Sequence, residues 1–150
     1  MKLIKISNPP KININSKGAK SFILSCIDPR FTEFLAHFLL KNKMLKDNYD
    51  LVNLAGASLG ANQTIYKEWK KTLKNHIDIA IQLHNITEFL VFDHMDCGAY
   101  KVFLNMPSDD DHTLHIKEIE ALKKWINKHY PQLTFKGFIM TAEGAIYQIL

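Results

Sequence analysis

No stretch of this 150-residue chain is long and apolar enough to cross a bilayer, and residues 1–10 hold no apolar run of the kind that leads a secreted protein. A cytoplasmic protein with no membrane partner is the expectation. Cysteine is scarce: Cys26 and Cys97 are the only two, far apart in the chain. Without a secretion signal, such a pair reads as thiolates for a metal or for catalysis before it reads as a disulfide. Internal repeats, low-complexity tracts and basic blocks are lacking too. There are 19 Lys and Arg against 15 Asp and Glu, a net charge of +4. The basic residues are spread over several segments, so no nucleic-acid partner is expected. The densest group, Lys67, Lys70, Lys71 and Lys74, has helical spacing and reads as a solvated face.

What is present supports a core. Hydrophobic residues make up 47% and charged residues 23%, with the signs mixed, which fits one domain over residues 1–150. Residues 1–19, with two prolines and little periodicity, read as an irregular arm suited to docking on another subunit. Ser21 to Ile27 is a short β-rich apolar run, fit for a buried strand, and it stops at Asp28-Pro29. Phe31, Phe34, Leu35, Phe38 and Leu39 recur at helical spacing, with Lys41, Lys43 and Lys46 toward the negative end of the helix dipole. Tyr49 to Leu54 reads as a second buried strand, and Ala55 to Gly60, rich in small residues, as a loop. Ile65, Trp69, Leu73, Ile77, Ala80 and His84 mark one face of a long helix, and Thr87 to Asp93 is a third strand. A turn-rich stretch then runs to Asp111. Asp109 to Asp111 suit the start of a helix that carries Leu114, Ile119, Leu122 and Ile126. Thr134 to Met140 and Ala145 to Ile149, parted by Gly144, close the chain as a fourth strand and an edge strand. This alternation predicts an α/β fold: a mainly parallel central sheet of about four strands flanked by helices, with a C-terminal edge strand.

In such a sheet, ligands bind beyond the carboxyl ends of the strands. Two polar groups fall there. Cys26-Ile27-Asp28-Pro29-Arg30 ends the first strand, and His94-Met95-Asp96-Cys97-Gly98 ends the third. Two thiolates and an imidazole suit zinc, and three protein ligands leave a fourth position open for water or substrate. A metal there lowers the pKa of bound water toward about 7, which makes hydration or hydrolysis chemically accessible. Asp28 is placed either to accept a hydrogen bond from that water or to take the open position itself. Arg30 can decide between these, because a bidentate guanidinium keeps a carboxylate ionised and away from the metal.

The motifs C-x-D-x-R and H-x-x-C-G, each after a strand and in this order, resemble those of the β-class carbonic anhydrase family. LVFDHMDCGAY, from Leu90 to Tyr100, is similar to the family's segment around its ligand His and second Cys, and TAEGAIYQI from Thr141 resembles its closing strand. The resemblance implies a β-carbonic anhydrase-like fold and a zinc lyase that interconverts carbon dioxide and bicarbonate. It further implies one zinc per chain on Cys26, His94 and Cys97, Asp28 and Arg30 as the catalytic dyad, and a homodimer or higher homo-oligomer with active sites near the interface. Some positions depart from the family's pattern. Asn53-Leu54-Ala55-Gly56 stands where Arg-Asn-Ala-Gly is usual, Asp93 replaces a Gly, Met95 replaces a small hydroxyl residue, and Lys17 occupies the region where many members have a Gln.

Two further readings remain beside the hydratase. The more apolar Leu54 and Met95 favour another small electrophile, such as carbonyl sulfide or carbon disulfide. A zinc-binding oligomer without turnover follows if Asp28 closes the coordination sphere. Among the other candidates, the H-x-x-H of His112 and His115 reads as a capped helix start. His37, His76, His84 and His129 read as structural or exposed, and Trp69 and Trp125 as packing residues.

Overall fold

The computed structural model describes residues 18–42, 48–105 and 112–150. In chain order these form β1 (Ser21–Ser25), α1 (Pro29–Lys41), β2 (Tyr49–Asn53), α2 (Ser58–Asn62), α3 (Lys67–His84), β3 (Glu88–His94), α4 (Gly98–Leu104), α5 (His112–His129), β4 (Thr134–Met140) and β5 (Ile146–Gln148). The strands make one sheet in the order β2-β1-β3-β4-β5, the first four parallel and β5 antiparallel to β4. The expected α/β sheet with a C-terminal edge strand is present. Of the expected N-terminal arm only Gly18 and Ala19 fall among the described residues; Lys43, Lys46 and Asp109 to Asp111 lie outside them. Among the described residues no helix is long and apolar enough to cross a membrane.

The period-two alternation of the strands divides the core. Phe22, Leu24, Phe89 and Val91 pack with Leu73 and Ile77 of α3 and with Ile119, Leu122 and Ile126 of α5. Ile23, Leu90 and Phe92 point the other way and meet Phe31, Leu35 and Leu39 of α1. Burying a side chain of this size contributes about 1.5–3 kcal/mol, so the helices are fixed to the sheet mainly by these stripes. The same alternation later decides which way Asp93 and His94 face.

Several local expectations change. β2 is not the buried strand its apolar run predicts: it lies at the edge of the sheet, its residues half-buried or exposed. Leu51 aligns with Ile23, on the side where α1 gathers over β1 and β3, and stays 46% exposed. The expected loop at residues 55–60 is a short turn followed by α2, and the turn-rich stretch contains α4. Both helices are too short for a 3.6-residue period to register in sequence. α3 begins at Lys67, which leaves Ile65 exposed and outside the helix. Lys70 is not fully solvated; it is half-buried, with its ammonium 5.3 Å from the centre of the Trp125 ring.

Candidate metal centre

Cys26, His94 and Cys97 converge beyond the carboxyl ends of β1 and β3. Each offers one donor atom, and the three donors are buried and lie within 4.8 Å of one another. The parallel register accounts for the meeting, because Ser25 aligns with Phe92 and the two chains leave the sheet at the same end. A turn through Met95 and Asp96, with Asp96 at φ 53°, then brings Cys97 back as the N-cap of α4. The two Sγ atoms are 3.8 Å apart.

His94 lies on the α1 side, stacked on Phe31 with ring centres 4.1 Å apart. Its Nδ1 donates to the Met95 carbonyl at 2.8 Å, which fixes the tautomer and leaves Nε2 to act as a donor atom toward a metal. Nε2 is buried and has no hydrogen-bond partner among the described residues. An orphaned buried polar atom costs about 1–3 kcal/mol, and a metal ion would relieve it.

The small-residue turn supports the first thiol. Gly56, at φ 80°, donates its backbone N–H to Cys26 Sγ at 3.3 Å. α2 closes on this turn only because Gly60 has no side chain, since a Cβ there would run into the Ala55 carbonyl oxygen. The thiols ionise unequally. The Cys97 contact, His94 and the Gly56 amide pull Cys26 well below the usual thiol range against the opposing effect of burial. The Cys26 contact and burial push Cys97 up. For His94, burial acts downward, but the Cys26 thiolate, the Met95 carbonyl and the Asp28 charge together raise it above the ordinary 6.5.

Asp28 caps α1. Its Oδ1 accepts from the Arg30 backbone N–H at 3.0 Å, with Pro29 in the first turn. The Arg30 guanidinium pairs with the same carboxylate, Nε to Oδ1 at 3.0 Å and Nη2 to Oδ2 at 2.7 Å. This pair holds the Asp28 carboxyl below the usual carboxylate range. Oδ2 also stands 3.8 Å from His94 Nε2, so the carboxylate borders the donor cluster while held by Arg30.

A family model described as "Putative carbonic anhydrase" matches residues 16–150. The chain belongs to that family. Its curated relatives include an uncharacterized protein of Rickettsia conorii, 31% identical over 97% of this chain and 79% of that protein. An uncharacterized protein of Rickettsia bellii is 32% identical over 99% of this chain and 92% of that one. The fold resembles the carbonic anhydrase of Streptococcus mutans, with a TM-score of 0.60 at 17% identity, covering 94% of this chain and 88% of the other. It also resembles the β-carbonic anhydrase of Aspergillus fumigatus, with a TM-score of 0.56 at 14% identity over 89% and 76% of the two chains. Tetrameric β-carbonic anhydrases of Sordaria macrospora give 0.57 at 13% identity over 89% and 81%. The chain is thus a divergent member of that family with a β-carbonic anhydrase-like fold.

In this carbonic anhydrase family member the structure adds residues that sequence reasoning passed over. Asp93, beside His94 but on the opposite face of β3, is 1% exposed. Its Oδ1 accepts from the Ser58 backbone N–H at 3.0 Å. Its Oδ2 accepts from the Ser58 and Tyr100 hydroxyls at 2.6 and 2.7 Å and lies 3.1 Å from His115 Nδ1. One carboxyl group therefore ties α2, α4 and α5 to the strand that carries His94. His115 is fully buried in this network, which corrects its reading as part of a helix cap; His112 is the first residue of α5. A signal was available: an acidic residue where the family usually has Gly demands buried donors nearby.

A cavity of about 500 Å³ opens beside the cluster, with Cys26, Asp28 and Cys97 at its base and Trp69, Val102 and Phe103 among its walls. Leu54 and Met95 do not line it. Met95 faces a separate cavity with His112 and Ile139. The apolar character expected from those two residues comes instead from α3 and α4, and Trp69 both packs on Phe103 and borders the cavity.

Proposed function

We propose that this chain is a zinc-dependent carbonic anhydrase that interconverts carbon dioxide and bicarbonate. In this reading Cys26, His94 and Cys97 hold one zinc ion per chain, and Asp28 and Arg30 form the catalytic dyad. The observation that carries it is the spacing of the sulfurs. Two zinc–thiolate bonds of about 2.3 Å at a tetrahedral angle separate their sulfurs by about 3.8 Å, and the two Sγ atoms stand 3.8 Å apart. The unpartnered His94 Nε2 completes a soft, borderline donor set suited to zinc.

Bound here, zinc would supply Lewis acidity and would lower the pKa of a water toward about 7, which would make hydration of carbon dioxide accessible at neutral pH. The remaining work falls to the chain. Asp28 Oδ2, on the edge of the donor cluster, accepts a hydrogen bond from the attacking water and orients it. Arg30 keeps that carboxylate ionised and in place. Trp69, Val102 and Phe103 provide an apolar wall that favours uncharged carbon dioxide over bulk water. We take residues 1–150 as one domain, in a homodimer or larger homo-oligomer like the tetrameric Sordaria macrospora enzymes. The two free thiols suit the reducing cytoplasm.

Stopped-flow hydration by fully metallated protein over roughly pH 6.5–9, a range around the zinc-water pKa, is expected to exceed the buffer rate; a rate no higher than buffer overturns the proposal. The apolar cavity walls favour a second reading, hydrolysis of carbonyl sulfide or carbon disulfide. Sulfide release without carbon dioxide turnover would select it.

Metal uptake has a predictable pH dependence. Cys26 is ionised at neutral pH, whereas Cys97 keeps its proton and His94 holds one above the ordinary imidazole value. Binding expels those protons, so affinity rises with pH, about tenfold per unit for each proton released. The slope of log affinity against pH is expected near one above the His94 pKa and to approach two below it. Competition with a chromophoric chelator at several pH values measures it, and a flat profile would remove Cys97 and His94 from the ligand set.

A further inference from the structure

Arg30 reaches further than Asp28. Its Nη1 donates to Asp96 Oδ2 at 3.0 Å, and its Nη2 donates to the Asp96 carbonyl oxygen, also at 3.0 Å. Asp96 sits between His94 and Cys97 in the second motif, and its other carboxylate oxygen accepts from the Lys101 ammonium on α4. The guanidinium thus spans the two loops that carry the donor cluster, with one edge on Asp28 and the other on Asp96.

The geometry matters because Asp28 has two places to go. Its Oδ2 is 2.7 Å from Arg30 Nη2 and 3.8 Å from His94 Nε2, so a small rotation would carry it from the guanidinium toward the donor cluster. A guanidinium anchored only through its own flexible side chain could follow that rotation. One anchored on the carboxylate and carbonyl of Asp96 cannot, because moving with Asp28 would break two hydrogen bonds to the opposite loop.

We infer that Asp96, with Lys101 behind it, is a positioning residue that locks Arg30 onto Asp28 and so keeps the fourth metal position free for an exogenous ligand. The inference rests on the metal site proposed above. It gives Asp96 a role for which the spacing of the second motif requires no particular residue.

The test uses the full chain loaded with cobalt(II) and titrated with thiocyanate, followed by the visible d–d bands. Thiocyanate reports the free fourth position. Asp96→Gly and Asp96→Ala are compared with the unaltered protein and with Arg30→Ala. Glycine accepts the φ of 53° at this position and alanine resists it, so an effect common to both comes from loss of the carboxylate. If loss of the lock leaves about one site in ten open, the apparent Kd for thiocyanate rises about tenfold, with Arg30→Ala at least as large. The sign is diagnostic, since deleting a nearby negative charge would otherwise tighten an anion. Unchanged or tighter thiocyanate binding in both Asp96 variants overturns the inference, as does an Arg30→Ala protein that binds like the unaltered one. Failure of the unaltered protein to take up cobalt overturns the metal-site reading itself, a separate result.

Discussion

Cys97→Ala protein is expected to lose stoichiometric zinc and, with it, all carbon dioxide hydration above the buffer rate. Cys97 is one of three buried donors within 4.8 Å of one another, and the carboxylate bordering them, Asp28, is held by Arg30. Loss of a residue that merely supports a ligand costs roughly 10–100-fold in metal affinity; loss of a thiolate ligand should exceed that. The fold should survive better than the site, because Cys97 lies past the end of β3 and its replacement by alanine removes a single sulfur atom from the core. Metal content by elemental analysis, far-ultraviolet circular dichroism and stopped-flow rates on the same sample separate the two effects. A variant that keeps a full zinc complement would exclude Cys97 as a ligand.

Asp93→Ala should be the most destabilising single change near the site. The carboxyl group is an acceptor for the Ser58 amide, the Ser58 and Tyr100 hydroxyls and the His115 ring, all of them buried. Alanine removes the acceptor that these buried groups share, leaving the Ser58 and Tyr100 hydroxyls only their 3.2 Å contact with each other in this network. Stranding a buried hydrogen-bonding group costs about 1–3 kcal/mol, and dismantling a buried charged network about 3–5 kcal/mol. For a chain of this size that lowers Tm by roughly 10 °C. The damage should also reach the metal. Asp93 holds Ser58 two residues beyond Gly56, whose N–H supports Cys26, and it holds Tyr100 three residues beyond Cys97. Thermal unfolding of the metal-free protein isolates the stability term. A fall of less than about 3 °C, which corresponds to roughly 1 kcal/mol, would reduce the network to an incidental one. Asp93→Asn, which retains an acceptor oxygen, should fall between the two proteins.

The readings that held rest on strong local patterns. The runs that became β1 and β3 have apolar centres, β4 is a mixed run, α3 and α5 carry apolar residues at helical spacing, and the two short motifs sit where β1 and β3 end. β2 was misjudged because an apolar run says that a strand is apolar and not how many neighbours it has; position in the sheet is a tertiary property. α2 and α4 were missed because five and seven residues are too few for periodicity. The Asp28 cap on α1 is legible in Asp-Pro-Arg, an acidic N-cap followed by a proline in the first turn.

By itself the sequence determined the chemistry available at the site: two thiols, an imidazole and an Asp-Arg pair, each just beyond a strand, in a chain whose alternating pattern makes a parallel sheet. Parallel strands deliver such residues to one edge, so their meeting follows from order along the chain. Only the tertiary structure decided how they are held. Facing directions on β3 separate His94 from Asp93, sending one toward α1 and the donor cluster and the other into a buried network with three helices. Packing of α3 and α4 sets the apolar walls, and the approach of two loops sets Arg30 between Asp28 and Asp96. These are contacts between residues remote in sequence, fixed by the close-packed interior and carried by no local pattern.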